Sequence, residues 1–297
     1  MEKVTYQQLL KDKRMRSAIS MINAAYASDS LDRLGIQKPG SVHYYLPMEI
    51  HYIAGAERDP QHRVFGIVHT ADFCLVRDPD SPTYRTNPYE GEITFIRTLQ
   101  PGDVALIDTP AGDEFSTFEE NEKKYGGVWG GLLTALSLSY GAVGAVINGP
   151  IRDTNQINSY FRKESFAPRS QRSLEKALRK KASKTNIRKI KNALLDRGKF
   201  PVFGTGTLPT DSAFRTEAFS VGEPIKIGNV MIYDRDFIVA DNDGQVVIPN
   251  EVIRDVLEKV IEIDAGDKDV WADALTRLAG FHSDSIDEIV ARHGGHL

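Results

Sequence analysis

The residues best suited to chemistry form two short groups. The first is glycine-rich and opens a stretch with helical spacing; its members are Gly130, Gly131, Leu132 and Leu133. The first amides of a helix, together with the positive end of its dipole, favour an anion. In the second group the Arg152 guanidinium can hold a carboxylate, and the Asp153 carboxylate can ligate Mg²⁺ or Mn²⁺. The residue types alone also allow a simple surface ion pair between Arg152 and Asp153.

The elements predicted around these two groups would bring them to one edge of a sheet. A helix is predicted from Trp129 to Gly141, and its apolar face is Leu132, Leu133, Leu136 and Tyr140. The compact run 145–147 predicts a buried strand, and residues 148–153 a loop. Alternation of strands and helices is typical of layered α/β folds, whose sites lie where strands end.

Other patterns extend this arrangement along the chain. Strands are predicted at 64–76, 92–97, 104–108, 200–204, 224–232, 237–240 and 245–248. Helices are predicted after Thr5, over 14–26, from Ser28 or Ser30 to Gly35, after Pro249-Asn250, and at 268–279 and 284–293. The chain is therefore expected to be one α/β domain over 1–297, with helices at both ends.

Composition narrows the class of protein. The chain has 297 residues, of which 41% are hydrophobic, and its net charge is −4. One cysteine, Cys74, excludes an internal disulfide framework and a Cys-rich zinc site. The N-terminus is too polar for a secretory signal. The uncharged run 125–151 holds seven glycines and is interpreted as a buried helix and strand, not a membrane span. We therefore expect a cytoplasmic protein.

The charge is unevenly distributed. Residues 162–199 contain fourteen Lys or Arg and three acidic residues, a net charge of +11, which leaves −15 on the remainder. This segment is predicted to be a basic helical insertion. The overall charge of −4 argues against nucleic acid as a partner, but the insertion leaves open an RNA-binding arm.

Five segments, in order, resemble one known family. It contains regulator of ribonuclease activity A and the class II 4-hydroxy-4-methyl-2-oxoglutarate/4-carboxy-4-hydroxy-2-oxoadipate aldolases. The longest similar segment is 127–153; the others are 28–35, 100–104, 200–203 and 240–249. The similar region thus spans about 28–250, with the helices of 251–297 as an extension.

The resemblance implies a swivelling β/β/α fold, assembled as a homotrimer or homohexamer with active sites between subunits. It also implies that Arg152 binds a 2-oxo acid, that Asp153 ligates a divalent metal, and that the backbone at 131–133 receives the pyruvate carboxylate. The implied activity is that of a carbon–carbon lyase. Such an enzyme cleaves a 4-hydroxy-2-oxo acid to pyruvate, or decarboxylates oxaloacetate, through a metal-stabilised enolate.

The chain departs from the family pattern near the predicted metal. Gln156, Gly131 and Asn148 stand where relatives commonly carry acidic residues. Each change removes negative charge, so a second hypothesis is a non-catalytic regulator that binds a ribonuclease or RNA. A third is a related metal-dependent dehydratase on the same scaffold.

Overall fold

The computed structural model describes residues 3–38, 43–57, 59–76, 86–109, 126–161 and 198–280, with single residues at 180, 183, 189, 285 and 288. The predicted basic insertion at 162–199 and the predicted helix at 284–293 lie almost entirely outside the described residues. Within the described parts, no helix is both long and apolar enough to cross a membrane.

A mixed sheet of eight strands forms the centre of the described structure. Its strands are β1 (His51–Ala54), β2 (Val64–Leu75), β3 (Asp103–Asp108), β4 (Gly144–Asn148), β6 (Val202–Gly204), β8 (Thr216–Val221), β11 (Phe237–Asp241) and β12 (Gly244–Ile248). The order is β1-β6-β4-β3-β2-β11-β12, and β8 pairs with the second half of β2. The four inner strands β6, β4, β3 and β2 run parallel to one another. The outer strands pair antiparallel: β1 with β6, β11 with β2 and β12, and β8 with β2.

Two small sheets complete the strands. β5 (Pro150–Ile151) pairs in parallel with β7 (Gly206–Thr207). β9 (Ile225–Ile227) and β10 (Val230–Ile232) form an antiparallel hairpin. The single strand predicted at 224–232 is therefore two strands, because Gly228 adopts a positive φ of 58° that lets the chain reverse there.

Seven α-helices pack around the sheet in the described residues. They are α1 (Tyr6–Lys11), α2 (Lys13–Met21), α3 (Ala24–Arg33), α4 (Glu90–Thr98), α5 (Gly131–Tyr140), α6 (Thr154–Ser159) and α7 (Ile253–Leu278). Helices α1–α3 and α7 share one apolar cluster with β11 and β12. Helices α4, α5 and α6 share a second cluster with β3 and β4. This second layer carries the residues predicted to form the site.

The helix predicted over 14–26 ends earlier than expected. Helix α2 stops at Met21, and Asn23 accepts a hydrogen bond from the Tyr26 amide at 2.7 Å, which caps a new helix. The helix predicted to start at Ser28 or Ser30 therefore begins at Ala24. Thr5 caps α1 as predicted, with a complete capping box to Gln8.

Residues 92–97 are helical, not extended as predicted. They lie in α4, where Glu92, Phe95 and Ile96 are buried. Their i, i+3, i+4 spacing matches one face of a helix. The β-branched and aromatic residues of this run favoured a strand, but packing against α5 and β8 decides the structure.

The C-terminal helix is longer than predicted. Helix α7 runs unbroken to Leu278 and includes residues 268–278, which were predicted as a separate helix. Its first half buries Ile253, Val256 and Val260, whereas Trp271 and Leu278 are exposed. The buried face of α7 ends at Ile263, but the helix itself continues to Leu278.

Candidate active site

The two predicted groups lie side by side. After β4 the chain turns at Gly149, and β5 leads to Arg152. The Arg152 amide donates to the Trp129 carbonyl at 2.8 Å, and Trp129 and Ile151 form an isolated parallel bridge. This pairing holds the start of α5 against Arg152 and Asp153. Together they line a cleft of about 270 Å³ that includes Gly130, Leu132 and Leu133.

Asp153 turns its carboxylate towards the start of α5. Its backbone is left-handed, with φ 58° and ψ 29°, a conformation that Asp tolerates better than most residues. Its Oδ2 accepts a hydrogen bond from the Gly131 amide at 3.3 Å and lies 3.4 Å from the Arg152 Nε. The Gly131 amide was predicted to receive substrate. Here it donates to Asp153, so the amides of the next residues remain for a ligand.

Two side chains approach the backbone closely at the glycines that start α5. A Cβ on Gly130 would lie 2.7 Å from the Asp153 Oδ2, and one on Gly131 would lie 2.6 Å from the Gln156 Oε1. Gln156 in turn bonds to the Tyr160 hydroxyl, which donates to the Gly131 carbonyl. Two of the departures from the family pattern, Gly131 and Gln156, therefore pack against each other.

Asp211, which the sequence did not single out, is the main partner of Arg152. The Arg152 Nη1 lies 2.9 Å from the Asp211 Oδ2, which also accepts from the Tyr89 hydroxyl at 2.8 Å. Burial acts to raise the pKa of Asp211. However, the hydrogen bonds from Tyr89 and the Ala213 amide, with the Arg152 charge, together lower that pKa below its usual value. Asp211 therefore stays ionised at neutral pH.

Glu92 and Ser212 are among the residues that line the cleft. Glu92 is 2% exposed, and the Ser212 hydroxyl lies 2.9 Å from its Oε1. Burial raises the pKa of Glu92 to about 7, although the Ser212 hydrogen bond lowers it in part. The sequence analysis did not identify Glu92 as a site residue, because it assigned 92–97 to a strand. In the structure these residues are helical, and this places Glu92 at the cleft.

The third departure, Asn148, lies at the end of β4. Its amide donates to the Asp108 Oδ1 at 2.8 Å, and the residue is buried. Asn148 does not line the cleft. Asn148, in place of an acid, therefore changes the contact between the ends of β4 and β3. It does not change the charge of the groups that line the cleft.

The donors in the cleft fit a weakly held divalent ion. Within the parts of the chain that the structure describes, no three His, Cys, Asp or Glu side chains are grouped to share a metal. Asp153 offers one carboxylate whose side chain is 35% exposed. Mg²⁺ is often held by one or two carboxylates, with water or substrate completing its shell. Asp153 thus suits a single-carboxylate site.

Comparison with known proteins gives one family and a partial relative. A family model described as RraA-like (Aldolase/RraA) matches residues 81–187 and 184–247, more than half of the chain. Protein DlpA of Legionella pneumophila is 29% identical over 136 residues, which are 46% of this chain. That match covers 16% of DlpA, so the chain spans well under two thirds of this relative.

Solved structures share the fold along most of the chain. An uncharacterized protein from Pseudomonas syringae has a TM-score of 0.61 and 17% identity, covering 98% of this chain and 97% of its own. Streptomyces coelicolor RraAS2, described as an unusual member of the RNase ES inhibitor RraA protein family, has a TM-score of 0.56 and 18% identity. That match covers 90% of this chain and 97% of its own. These likenesses and the family model confirm the predicted fold, and the chain belongs to the RraA-like (Aldolase/RraA) family.

Proposed function

We propose that this protein is a lyase that acts on a 2-oxo acid with the help of Mg²⁺ or Mn²⁺. It would release pyruvate from a 4-hydroxy-2-oxo acid, or decarboxylate an acid of the oxaloacetate type. The observation that carries the proposal is the cleft in which Arg152 and Asp153 meet the first turn of α5. The family description joins aldolases with RraA proteins, so membership supports a lyase only in general terms.

Different residues of the cleft would bind the substrate and the metal. Arg152 and the first-turn amides of Leu132 and Leu133 would hold the substrate carboxylate by charge-assisted hydrogen bonds. Asp153 would hold the metal. A bound divalent ion supplies Lewis-acid polarisation of the 2-oxo group. The fixed positive potential of Arg152 and of the α5 N-terminus would favour the negative charge that develops as the carbon–carbon bond breaks.

We also propose that the protein is a homotrimer or homohexamer with the cleft at a subunit boundary. The apolar face of α5 supports this: Leu132, at the cleft, is 64% exposed and Tyr140 is 39% exposed. That face is predicted from the sequence, yet the residues that α5 buries are Gly131, Thr134 and Ser137. Light scattering should give three or six times the chain mass of 33.1 kDa.

The lyase proposal is tested by pyruvate release. Purified protein with Mg²⁺ or Mn²⁺ should turn over 4-hydroxy-2-oxo acids or oxaloacetate. Arg152→Ala and Asp153→Asn should each lower kcat/KM by about a hundredfold, because each removes a group that stabilises developing charge. Arg254→Ala is a control, since Arg254 is exposed on α7. Full activity of both cleft variants would remove the site assignment.

A non-catalytic regulator is the second candidate. It is favoured by the pairing of Arg152 with both Asp153 and Asp211, which leaves its charge already balanced. A regulator would co-purify with a ribonuclease and turn over no oxo acid. If the basic segment binds RNA, a salt-sensitive shift should disappear when 165–198 are deleted. A dehydratase would instead release water and keep the carbon skeleton, which product analysis distinguishes.

A further inference from the structure

We propose that Glu92 is the proton-transfer residue of this cleft and that the Ser212 hydroxyl relays the proton. The proposal rests on the proposed lyase function and assigns it a proton carrier. Arg152 cannot fill this role, because a guanidinium keeps its proton in proteins. Asp211 is held ionised by Arg152 and Tyr89, which makes it a poor base.

The geometry connects Glu92 to the open part of the cleft. Glu92 lies in the first turn of α4, and its side chain faces the cleft that contains Arg152 and Asp153. The Ser212 Oγ lies 2.9 Å from the Glu92 Oε1 and 3.5 Å from the Asp211 Oδ1. A hydroxyl rotates freely and both donates and accepts, so Ser212 can pass a proton to or from Glu92.

The surroundings of Glu92 allow both of its protonation states. Ser212 and Asp211, from the loop after β7, and Tyr89, at the start of α4, are the polar groups nearest to it, with Arg152 and Asp153 across the cleft. Burial raises the pKa of Glu92 to about 7, and the Asp211 charge adds to this. General acid–base catalysis is most effective when the pKa lies near the working pH.

The same carboxyl would serve the two reactions in opposite states. In aldol cleavage, ionised Glu92 accepts the 4-hydroxyl proton through the Ser212 hydroxyl as the C3–C4 bond breaks. C4 becomes a carbonyl, and the bonding electrons form the enolate. Glu92 then returns that proton to C3, which gives pyruvate. In decarboxylation no hydroxyl is deprotonated. Carbon dioxide leaves, the electrons of the broken bond form the enolate, and protonated Glu92 supplies the proton to C3.

The test compares pH profiles with the two substrates. In the wild type, kcat/KM for aldol cleavage should rise as pH increases through about 7, and that for decarboxylation should fall. Glu92→Gln should lower both rates by about a hundredfold or more and remove the pH step. Ser212→Ala should lower both rates, because it removes the relay, and should move the step to higher pH, because it removes a hydrogen bond that favours the ionised carboxyl. Glu90→Gln, an exposed change on the same helix, should alter neither.

Different outcomes separate this proposal from the proposed function. If Glu92→Gln keeps the rates or the pH step while Arg152→Ala is inactive, the proton-transfer role is wrong and the lyase function stands. The proton-transfer role is also wrong if, in the wild type, kcat/KM changes with pH in the same direction for both substrates. If the wild type turns over neither substrate, the lyase function fails and the role of Glu92 fails with it.

Discussion

At the scale of single residues, Arg152 is shared by two carboxylates. Asp153 holds its Nε and Asp211 holds its Nη1, and both acids are partly exposed at the cleft. The carboxylate of a 2-oxo acid would need the same guanidinium. Under the proposed function, a ligand would therefore compete with Asp211 for Arg152.

Asp211→Asn should tighten the binding of an oxo-acid analogue. The change removes the competing charge but keeps an oxygen that accepts from Tyr89. A partly exposed ion pair is worth up to about 1 kcal/mol, so oxalate should bind up to about fivefold more tightly. Calorimetric titration measures this, with Asp255→Asn on α7 as the control. Weaker binding by the Asp211 variant would show that Asp211 holds Arg152 in place instead of competing with the ligand.

Glu92 should make stability depend on pH. Its pKa is raised from 4.5 to about 7 in the folded protein, so the folded state keeps this proton at higher pH than the unfolded state does. Stability is therefore lost as pH rises from about 4.5 to about 7, by about 3 kcal/mol in total. Glu92→Gln lacks this titration. The free energy of unfolding of the variant, relative to wild type, should be higher at pH 8 than at pH 4.5 in urea titrations.

An equal difference between variant and wild type at the two pH values would contradict this expectation. It would show that the carboxyl has the same pKa in both states. The pH profile predicted for the proton-transfer role would then lose its basis, because it requires the raised pKa of Glu92.

The candidate site was only half predictable from the sequence. Residues 130–133 and 152–153 follow a glycine-rich helix start and a strand end, so their spacing predicts that they meet. Asp211, Tyr89 and Glu92 come from a loop and a helix far along the chain, and no local pattern links them. They meet at the cleft through contacts of the folded chain: Gly127 pairs with Asp211, the Tyr89 hydroxyl bonds to Asp211, and Ser212 bonds to Glu92.

At the scale of elements, the close contact between α5 and the loop before α6 positions the site. Glycine at the start of α5 allows this contact, because a Cβ there would displace the Asp153 or Gln156 side chain. The contact also explains the left-handed backbone of Asp153, which directs its carboxylate back towards α5.

Gly130→Ala should therefore disable the site without unfolding the protein. The new Cβ would lie 2.7 Å from the Asp153 Oδ2, so the carboxylate must move. A displacement of this kind in an active site lowers rates by about tenfold to a hundredfold. Pyruvate release and urea unfolding should be measured together. Normal activity would mean that the position of Asp153 does not matter for catalysis.

The elements themselves were predicted unevenly. Continuous apolar strands such as β2, β3 and β4 were found because a fully buried strand has a distinctive composition. Strand β8 was missed because its residues are half-buried and of mixed polarity, and α4 was misassigned because β-branched residues can also fill a helical face. In both cases the deciding contacts are with residues distant in sequence.

At the scale of the whole molecule, a cluster of buried and partly buried polar side chains joins β2 and β3 to the segment before β11. Arg235 contacts the Asp103 Oδ1 at 2.9 Å, the Asp234 Oδ2 at 2.9 Å and the His69 Nδ1 at 2.7 Å. The Asp103 side chain is only 2% exposed, and burial raises its pKa although Arg235 opposes the shift. The fold was predicted from five family-like segments in the right order. Those segments gave no indication of this cluster.

Arg235→Met should destabilise the protein by about 3–5 kcal/mol, because it leaves the Asp103 charge buried without its partner. Arg14→Met is a matched control. Arg14 also pairs with a residue distant in sequence, Glu258, but both side chains are exposed, so the loss of this pair should have little effect on stability. Urea unfolding measures both. Equal losses would mean that Asp103 gains protonation or solvent at little cost once Arg235 is gone.

The long strand β2 has a consequence for how the chain is made. Its first half pairs with β11, which lies about 170 residues later, and its second half with β8. During synthesis on the ribosome, one edge of this apolar strand stays unpaired until most of the chain has emerged. Such an edge attracts other chains. We therefore expect this edge of β2 to stay open to pairing with other chains until β8 and β11 have been synthesised.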